Sequence, residues 1–464
     1  MINKFVGGIR KLLPKNKFAR SVSVLVGGTA GSQAIMVLVL PILTRLYTPD
    51  DFAVLAIYTS IFGILASVAC LRLEIAIPLP RTDAVAINLF ALALCFPLLI
   101  ACCVGVLLTV AGGEFARLLG QEKAGEYFWL IPLGIWLAGS YGALQYWATR
   151  NKNFTLVAKT RLTQALGGAG TQLVCGFVGI APLGLLLGLV IRFSAGILGL
   201  GRDLLTTHLE VVKSISFKGM RSAFREYDRF PKISTFEAFA NNAGIQLPVL
   251  LIAAVVAGPE VGFLMLATRA MAAPMSLIGG AVAQVYLSTA GDHYRNGKLG
   301  EHTVDVIGGL CKTGVGPLLF AGITAPYLFP IIFGTEWSRA GEMVAWMTPW
   351  FVMQLLVSPV SMTLHVAGQQ RTAFTLQVVG LLLRAGAVIC AALMLEAYIV
   401  ETYAISGFLF YSLYLFVVVH IAGIKFSALR EAIPYKVLFG WVALSFFCLW
   451  TIPYMADFIA KFPL

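Results

Sequence analysis

The sequence predicts an all-α polytopic membrane protein, built as two halves of six spans in parallel pseudo-repeat and followed by an extra C-terminal hydrophobic helix. Three observations carry that expectation. Of the 464 residues, 59% are hydrophobic and only 12% charged, and mean hydropathy is +0.85, far outside the range of soluble domains. Apolar windows of about 20 residues, the length that crosses a bilayer core, recur along the whole chain. The basic residues gather on alternate loops, the signature that orients polytopic proteins.

The spans follow in order. The first six cover approximately 21–44, 52–76, 85–110, 127–148, 162–179 and 182–200, forming a half at 21–200. A polar linker, 201–232, comes next. Six further spans, approximately 233–256, 260–288, 305–333, 342–366, 372–395 and 400–424, make a second half at 233–424. The tail, 425–464, holds one more apolar segment at 437–455, which we expect to be a thirteenth span. The two halves share a turn. Tyr47-Thr48-Pro49-Asp50-Asp51-Phe52 leads into span 2 as Ala257-Gly258-Pro259-Glu260-Val261-Gly262 leads into span 8, and in both a proline presets the turn and an acid follows it. An even number of spans per half makes the repeats parallel, related by an axis along the membrane normal.

Charge sets the orientation. With the N-terminus cytoplasmic, the outer loops hold only Arg45, Arg117, Lys123 and Arg339, while the rest of the loop Lys and Arg lie inside. Much of the formal net charge of +12 is accounted for in this way, without nucleic acid. Residues 1–20 place Ile2, Phe5, Val6, Ile9, Leu12 and Leu13 on one helical face among basic residues, as expected of an amphipathic helix on the inner leaflet. The linker's Leu204, Leu205, Leu209, Val212, Ile215, Phe217 and Phe224 set among cations point to a second surface helix. Gly27 and Gly31, and Gly184 and Gly188, have the spacing that lets helices approach closely in lipid.

The chemistry lies in polar residues inside the spans. Arg192, Arg269, Lys312 and Arg384 sit deep in apolar stretches, where a charge costs roughly 3 kcal/mol or more and persists facing a bundle interior, a partner or a water-filled cavity. Together they indicate a cationic interior that handles anions. Glu237, Asn241, Asn242 and Gln246 form a polar stripe on span 7 ahead of Pro248. Arg72 and Glu74, two residues apart near the end of span 2, are expected to point apart on a helix. Arg45 closes span 1, and Arg339 is expected to snorkel to the outer interface and tolerate alanine. The eight cysteines lie in or beside the spans without metal-ligand spacing. No GxxxxGK[ST], HExxH or GxSxG occurs, and no metal site or cofactor is expected.

The segments LTRLYTPDDFAVLAIYTSI, LRLEIAIPLP, YDRFPKIST with LPVLL, GPEVGFLMLATR, PMSLIGGAVAQVY, FGTEWSRAGEM and LLVSPVSM resemble, in order and spacing, the Wzx-type polysaccharide flippases of the MOP superfamily. The similarity runs from about residue 20 to 425. It implies a twelve-helix, two-lobed MATE-like fold with a cationic central cavity, in a bacterial inner membrane. It also implies an undecaprenyl-pyrophosphate-linked oligosaccharide as cargo, of the O-antigen or capsule repeat-unit kind, moved from the cytoplasmic to the periplasmic leaflet. A polysaccharide polymerase and a chain-length regulator are implied partners, beside inner-membrane lipids. By analogy with MurJ-type lipid II flippases, spans 1, 2, 7 and 8 face the cavity. Arg45, Arg72, Arg269, Asn241, Asn242 and Gln246, with Arg192, Arg384 and Lys312, are then the expected substrate-binding set, and Glu74 or Glu237 the expected coupling carboxylate. An ion-coupled MATE-like exporter of small cationic molecules would instead favour an acidic cavity. A membrane glycan polymerase or transferase would build glycan without a partner.

Overall fold

The computed structural model describes residues 17–256 and 258–461. The expected surface helix at the N-terminus falls mostly outside these, as does Ala257 of the second turn. Among the described residues there is no strand, and a long helix stands at every predicted span. Numbered in chain order, the long helices are α1 (Lys17–Leu46), α2 (Pro49–Val68), α3 (Asp83–Leu118), α4 (Leu130–Arg150), α5 (Phe154–Val178) and α6 (Leu183–Thr207). There follow α7 (Thr235–Val255), α8 (Glu260–Arg295), α9 (Leu299–Phe333), α10 (Ser338–Val357), α11 (Gln370–Met394), α12 (Ile399–Ile421) and α13 (Tyr435–Lys461). By length and composition nine of the described helices can cross a membrane, or ten if the bent pair Phe426–Ala432 and Tyr435–Thr451 is one span. The chain is a multi-pass membrane protein.

Local chemistry explains the turns. Pro49 occupies the first position of α2, where its missing N–H costs nothing. Asp51 accepts from the Thr48 backbone N–H at 2.9 Å while its own N–H donates to Thr48 Oγ1 at 3.3 Å, the reciprocal arrangement that starts a helix sharply. At the matching turn Gly258 adopts φ +102°, open to glycine, and a Cβ on Gly262 would lie 1.9 Å from the Pro49 carbonyl oxygen. The repeated turns therefore pack against one another, and Gly262 is what permits it. α9 is interrupted by a π-helical turn at Cys311–Val315.

The chain forms two compact units. The first takes in the chain up to Leu46, then Ile61–Ala116 and Glu122–Phe239; the second takes in Tyr47–Ser60, Arg117–Gln121 and the chain from Ala240. The boundary cuts through α2, α7 and the last turn of α3, and residues 201–232 go with the first unit.

The first unit's core gathers Leu73, Ile77, Ile87, Phe90, Trp147, Val157, Leu200 and Leu204. Small residues let its helices close: a Cβ on Gly28 would meet Ala158 at 2.8 Å, and one on Gly139 would meet Pro97 at 2.4 Å. Gly27, by contrast, faces open space, so α1 approaches α5 through Gly28 and Gly31, the latter with a Cβ position 3.2 Å from Leu162. The linker's helix, Phe217–Glu226, buries Ala223 in this core. Asn88 accepts from the Ser216 N–H at 3.0 Å and so pins the turn before that helix.

In the second unit Trp337 is buried and meets Phe52 and Phe263 edge-on, at 4.9 and 5.9 Å between centroids. α13 docks on α9, where Phe320 and Trp441 pack 6.1 Å apart.

Candidate functional site

A cavity of about 610 Å³ opens inside the second unit. α2 contributes Thr59 and Ser60, α7 contributes Gln246, and α8 contributes Thr268, Arg269 and Ser276; α10 adds Trp350, Phe351 and Gln354, with Ser358 beyond it and Tyr403 from α12. Its described lining includes no aspartate or glutamate. Gln246 Oε1 accepts from the Ser60 hydroxyl at 3.1 Å, which fixes the amide against α2. Thr59 and Thr268 hydroxyls turn back onto their own helices, each donating to a carbonyl four residues earlier at 2.8 Å. One wall is aromatic. Trp350 and Phe351 stack at 5.3 Å with planes 11° apart, and Tyr403 meets Trp350 edge-on at 5.1 Å. The indole N–H of Trp350 is buried without a protein partner, and Gly407 leaves room for the indole, since a Cβ there would fall 2.5 Å from it. A cation, amides, hydroxyls and a flat apolar wall in one cavity can bind an anionic group together with a polyhydroxylated one.

A second cavity, about 240 Å³, lies inside the first unit. α1 supplies Thr29, Ser32 and Gln33, α4 supplies Tyr141 and Gln145, α5 supplies Arg161 and Gln164, and α6 supplies Arg192 and Phe193. The Arg161 guanidinium donates to the Thr29 hydroxyl. Glycines admit these side chains: a Cβ on Gly168 would meet the Arg192 stem at 3.2 Å, and one on Gly196 would meet both the Tyr141 ring and Gln164.

The residues singled out from the sequence are distributed unevenly. Arg269 and Gln246 line the larger cavity together. Glu237, Asn241 and Asn242, on the same helix as Gln246, are half-buried and lie off its described lining. Arg192 lines the smaller cavity. Arg45 and Lys312 are exposed, Lys312 within the π-helical turn of α9. Arg384 is buried at 2% exposure, donates from Nε to the Gly380 carbonyl at 3.0 Å and lies 4.8 Å over the Phe410 ring, outside the described lining of both cavities.

Two expectations are corrected. Arg72 and Glu74 do not point apart: they face each other at 3.8 Å. The reason is a break in the helix, where Leu71 and Arg72 adopt φ of 50° and 58°, so that the chain folds back before the short helix Leu73–Ala76. Left-handed backbone at two successive non-glycine residues is strained, and such strain concentrates at functional positions. Arg339, expected as a lone interfacial cation, is instead held by acids. It reaches Glu260 at 3.3 Å, Glu342 at 3.0 Å and Glu401 at 2.8 Å, tying the starts of α8, α10 and α12.

Arg161 was missed because it reads as a loop cation beside Lys159. In fact α5 begins at Phe154, after Asn153 accepts from the Leu156 N–H, which carries Arg161 two turns into the helix. The asparagine cap is the signal that would have found it. Trp350, Gln354 and Ser358 were hidden in a strongly apolar span, although Trp and Gln four residues apart mark one mixed face.

A family profile described as "Polysaccharide biosynthesis protein" matches residues 42–342. The chain belongs to this polysaccharide biosynthesis protein family. Curated protein sequences gave no match. Among solved structures, the lipid II flippase MurJ in an inward closed conformation aligns at TM-score 0.69 and 12% identity, over 92% of each chain. A multidrug resistance MATE family transporter of the MOP superfamily, inward-facing, aligns at 0.61 and 14% identity, over 88% of this chain and 95% of that one. A MOP superfamily transporter from Pyrococcus furiosus, whose structure is described as having a binding pocket of reverse polarity, aligns at 0.54 and 13% identity, over 89% and 96%. These likenesses establish that this member of the family has the MATE/MOP fold, and its structural neighbours are transporters and flippases.

Proposed function

We propose that the protein is a flippase that carries a lipid-pyrophosphate-linked oligosaccharide, of the undecaprenyl type, from the cytoplasmic to the periplasmic leaflet of a bacterial inner membrane by alternating access. The N-terminus is cytoplasmic on this reading, as the basic loops favour. The observation that carries it is the second-unit cavity. Arg269 offers a forked donor for phosphate oxygens, Gln246, Gln354 and the hydroxyls replace water around sugar hydroxyls, and the Trp350–Phe351 wall supplies a face for a pyranose ring. A cationic drug would call for carboxylates there, and the described lining has none. Membership of a polysaccharide biosynthesis family and the fold shared with a lipid II flippase support the same reading. Export of an anion is favoured by a negative-inside potential, at roughly 2.3 kcal/mol per charge per 100 mV, and Glu74 or Glu237 is the proposed site of any ion coupling. Cells lacking the gene are expected to retain lipid-linked repeat units in the inner leaflet, and wild-type cells to slow export when the potential is collapsed. Head groups reaching the outer face at an unchanged rate in both conditions would overturn the proposal.

A further inference from the structure

The first unit's cavity has no role in that cargo reading, and its chemistry is of one sign. Arg161 and Arg192 approach it from neighbouring helices, and among the described residues neither has a carboxylate within ion-pair distance. Its described lining holds no aspartate or glutamate. Two guanidiniums in a low-dielectric interior repel, and withdrawing each from water is costly unless something of opposite charge compensates. A third feature is independent of the charges. Tyr141 is 8% exposed, lines the cavity, and among the described residues its hydroxyl is buried with no hydrogen-bond partner, a deficit that a ligand oxygen would remove.

We propose that this cavity is a binding site for a compact oxyanion of the phosphate class, gripped by Arg161 and Arg192 and accepting a further hydrogen bond from Tyr141. Guanidinium forks match tetrahedral oxyanions in geometry as well as charge. The Thr29 hydroxyl, already a partner of Arg161, orients that fork, and the amides of Gln33, Gln145 and Gln164 complete a donor-rich wall. At about 240 Å³, against about 610 Å³ for the second unit's cavity, it suits a phosphate group with residual water rather than a chain of sugars. The phosphate is supplied either free in solution or as the head of a membrane lipid.

The test uses the full-length protein in detergent and reads binding, not transport, so its failure is separate from failure of the cargo reading. Inorganic phosphate is titrated against chloride at matched ionic strength while the thermal unfolding midpoint is followed. Saturable stabilisation by phosphate is expected, with Arg161→Gln or Arg192→Gln raising the half-saturating concentration at least tenfold and the near-isosteric Tyr141→Phe raising it a few-fold. Because the arginine variants can fail to fold, the wild-type protein is also modified with phenylglyoxal and mapped by mass spectrometry. Phosphate, and not chloride, should slow modification of Arg161 and Arg192 at least threefold. Displacement of phosphate by phosphatidylglycerol added to the micelles identifies a lipid head as the natural source; persistence of phosphate binding identifies the free ion. Equal stabilisation by the two salts, unchanged phosphate binding in folded arginine variants, or unprotected arginines would overturn the proposal.

Discussion

Arg339 and the cavity arginines keep opposite company. Where α8, α10 and α12 begin, Arg339 is surrounded by Glu260, Glu342 and Glu401. In the two cavities, Arg269 and the pair Arg161 and Arg192 are framed by amides, hydroxyls and aromatic rings, with no acid in the described lining. A cation surrounded by protein carboxylates is a bolt between helices. One framed by neutral donors keeps a positive potential available to a ligand. The contrast separates arginines that the sequence presents alike.

The largest effect is expected where the contrast is sharpest. Arg339→Ala leaves three carboxylates close together, one of them, Glu401, only 7% exposed. Breaking a fully buried ion pair costs about 3–5 kcal/mol, and this partly exposed network should lose less, so folded protein in the membrane should fall and the unfolding midpoint in detergent should drop by a few degrees. Adding Glu401→Gln to the variant should recover part of the loss. Wild-type stability in Arg339→Ala would erase the distinction between bolts and cavity arginines.

Arg269→Ala should do the reverse, impairing transport while membrane abundance stays near wild type. Charge-assisted hydrogen bonds contribute about 1.5–3 kcal/mol each, which corresponds to a tenfold to hundredfold loss of export. Arg269→Lys should rescue only in part, since an ammonium keeps the charge without the fork. Full export by Arg269→Ala at normal abundance would remove this residue from the site.

How much of this was legible depends on the range of the interactions concerned. Apolar period and loop charge are local signals, and they located every long helix, including α13, because a membrane span is defined by about 20 consecutive residues. Arg269 and Gln246 were legible for the same reason: a polar residue deep in an apolar window stands out by itself. The environments of Arg339 and Arg384 were not. Glu260 and Glu401 lie far from Arg339 in the chain, and Arg384 is placed by Phe410 on a different helix; only tertiary packing brings them together. The Arg72 kink escaped notice because neither Leu71 nor Arg72 is a residue type that announces left-handed backbone.

Arg384 gives a smaller effect that sharpens the comparison from a third side. It is buried, yet its described contacts are a carbonyl and a ring face instead of acids or a cavity. Replacing a buried charge by an apolar group of similar length is often close to neutral, so Arg384→Met should change stability by less than about 1.5 kcal/mol and leave export near wild type. Loss of export without loss of folded protein would return Arg384 to the substrate-binding set.

The smallest effect is expected at Gln246, and it tests whether neutral donors matter beside the cation. Its Oε1 is held by the Ser60 hydroxyl, which leaves the amide –NH2 as the donor side. On the proposed cargo reading, Gln246→Ala removes one neutral hydrogen bond, about 1 kcal/mol, and export should fall several-fold at normal abundance. Asn241→Ala, five residues earlier on α7 and off the described lining of the cavity, should fall by less. The comparison is made on export rate at equal membrane abundance. Should Asn241→Ala prove the more damaging of the two, cargo contact would extend along α7 beyond the second unit's cavity, and the polar stripe rather than that cavity would define where the glycan runs.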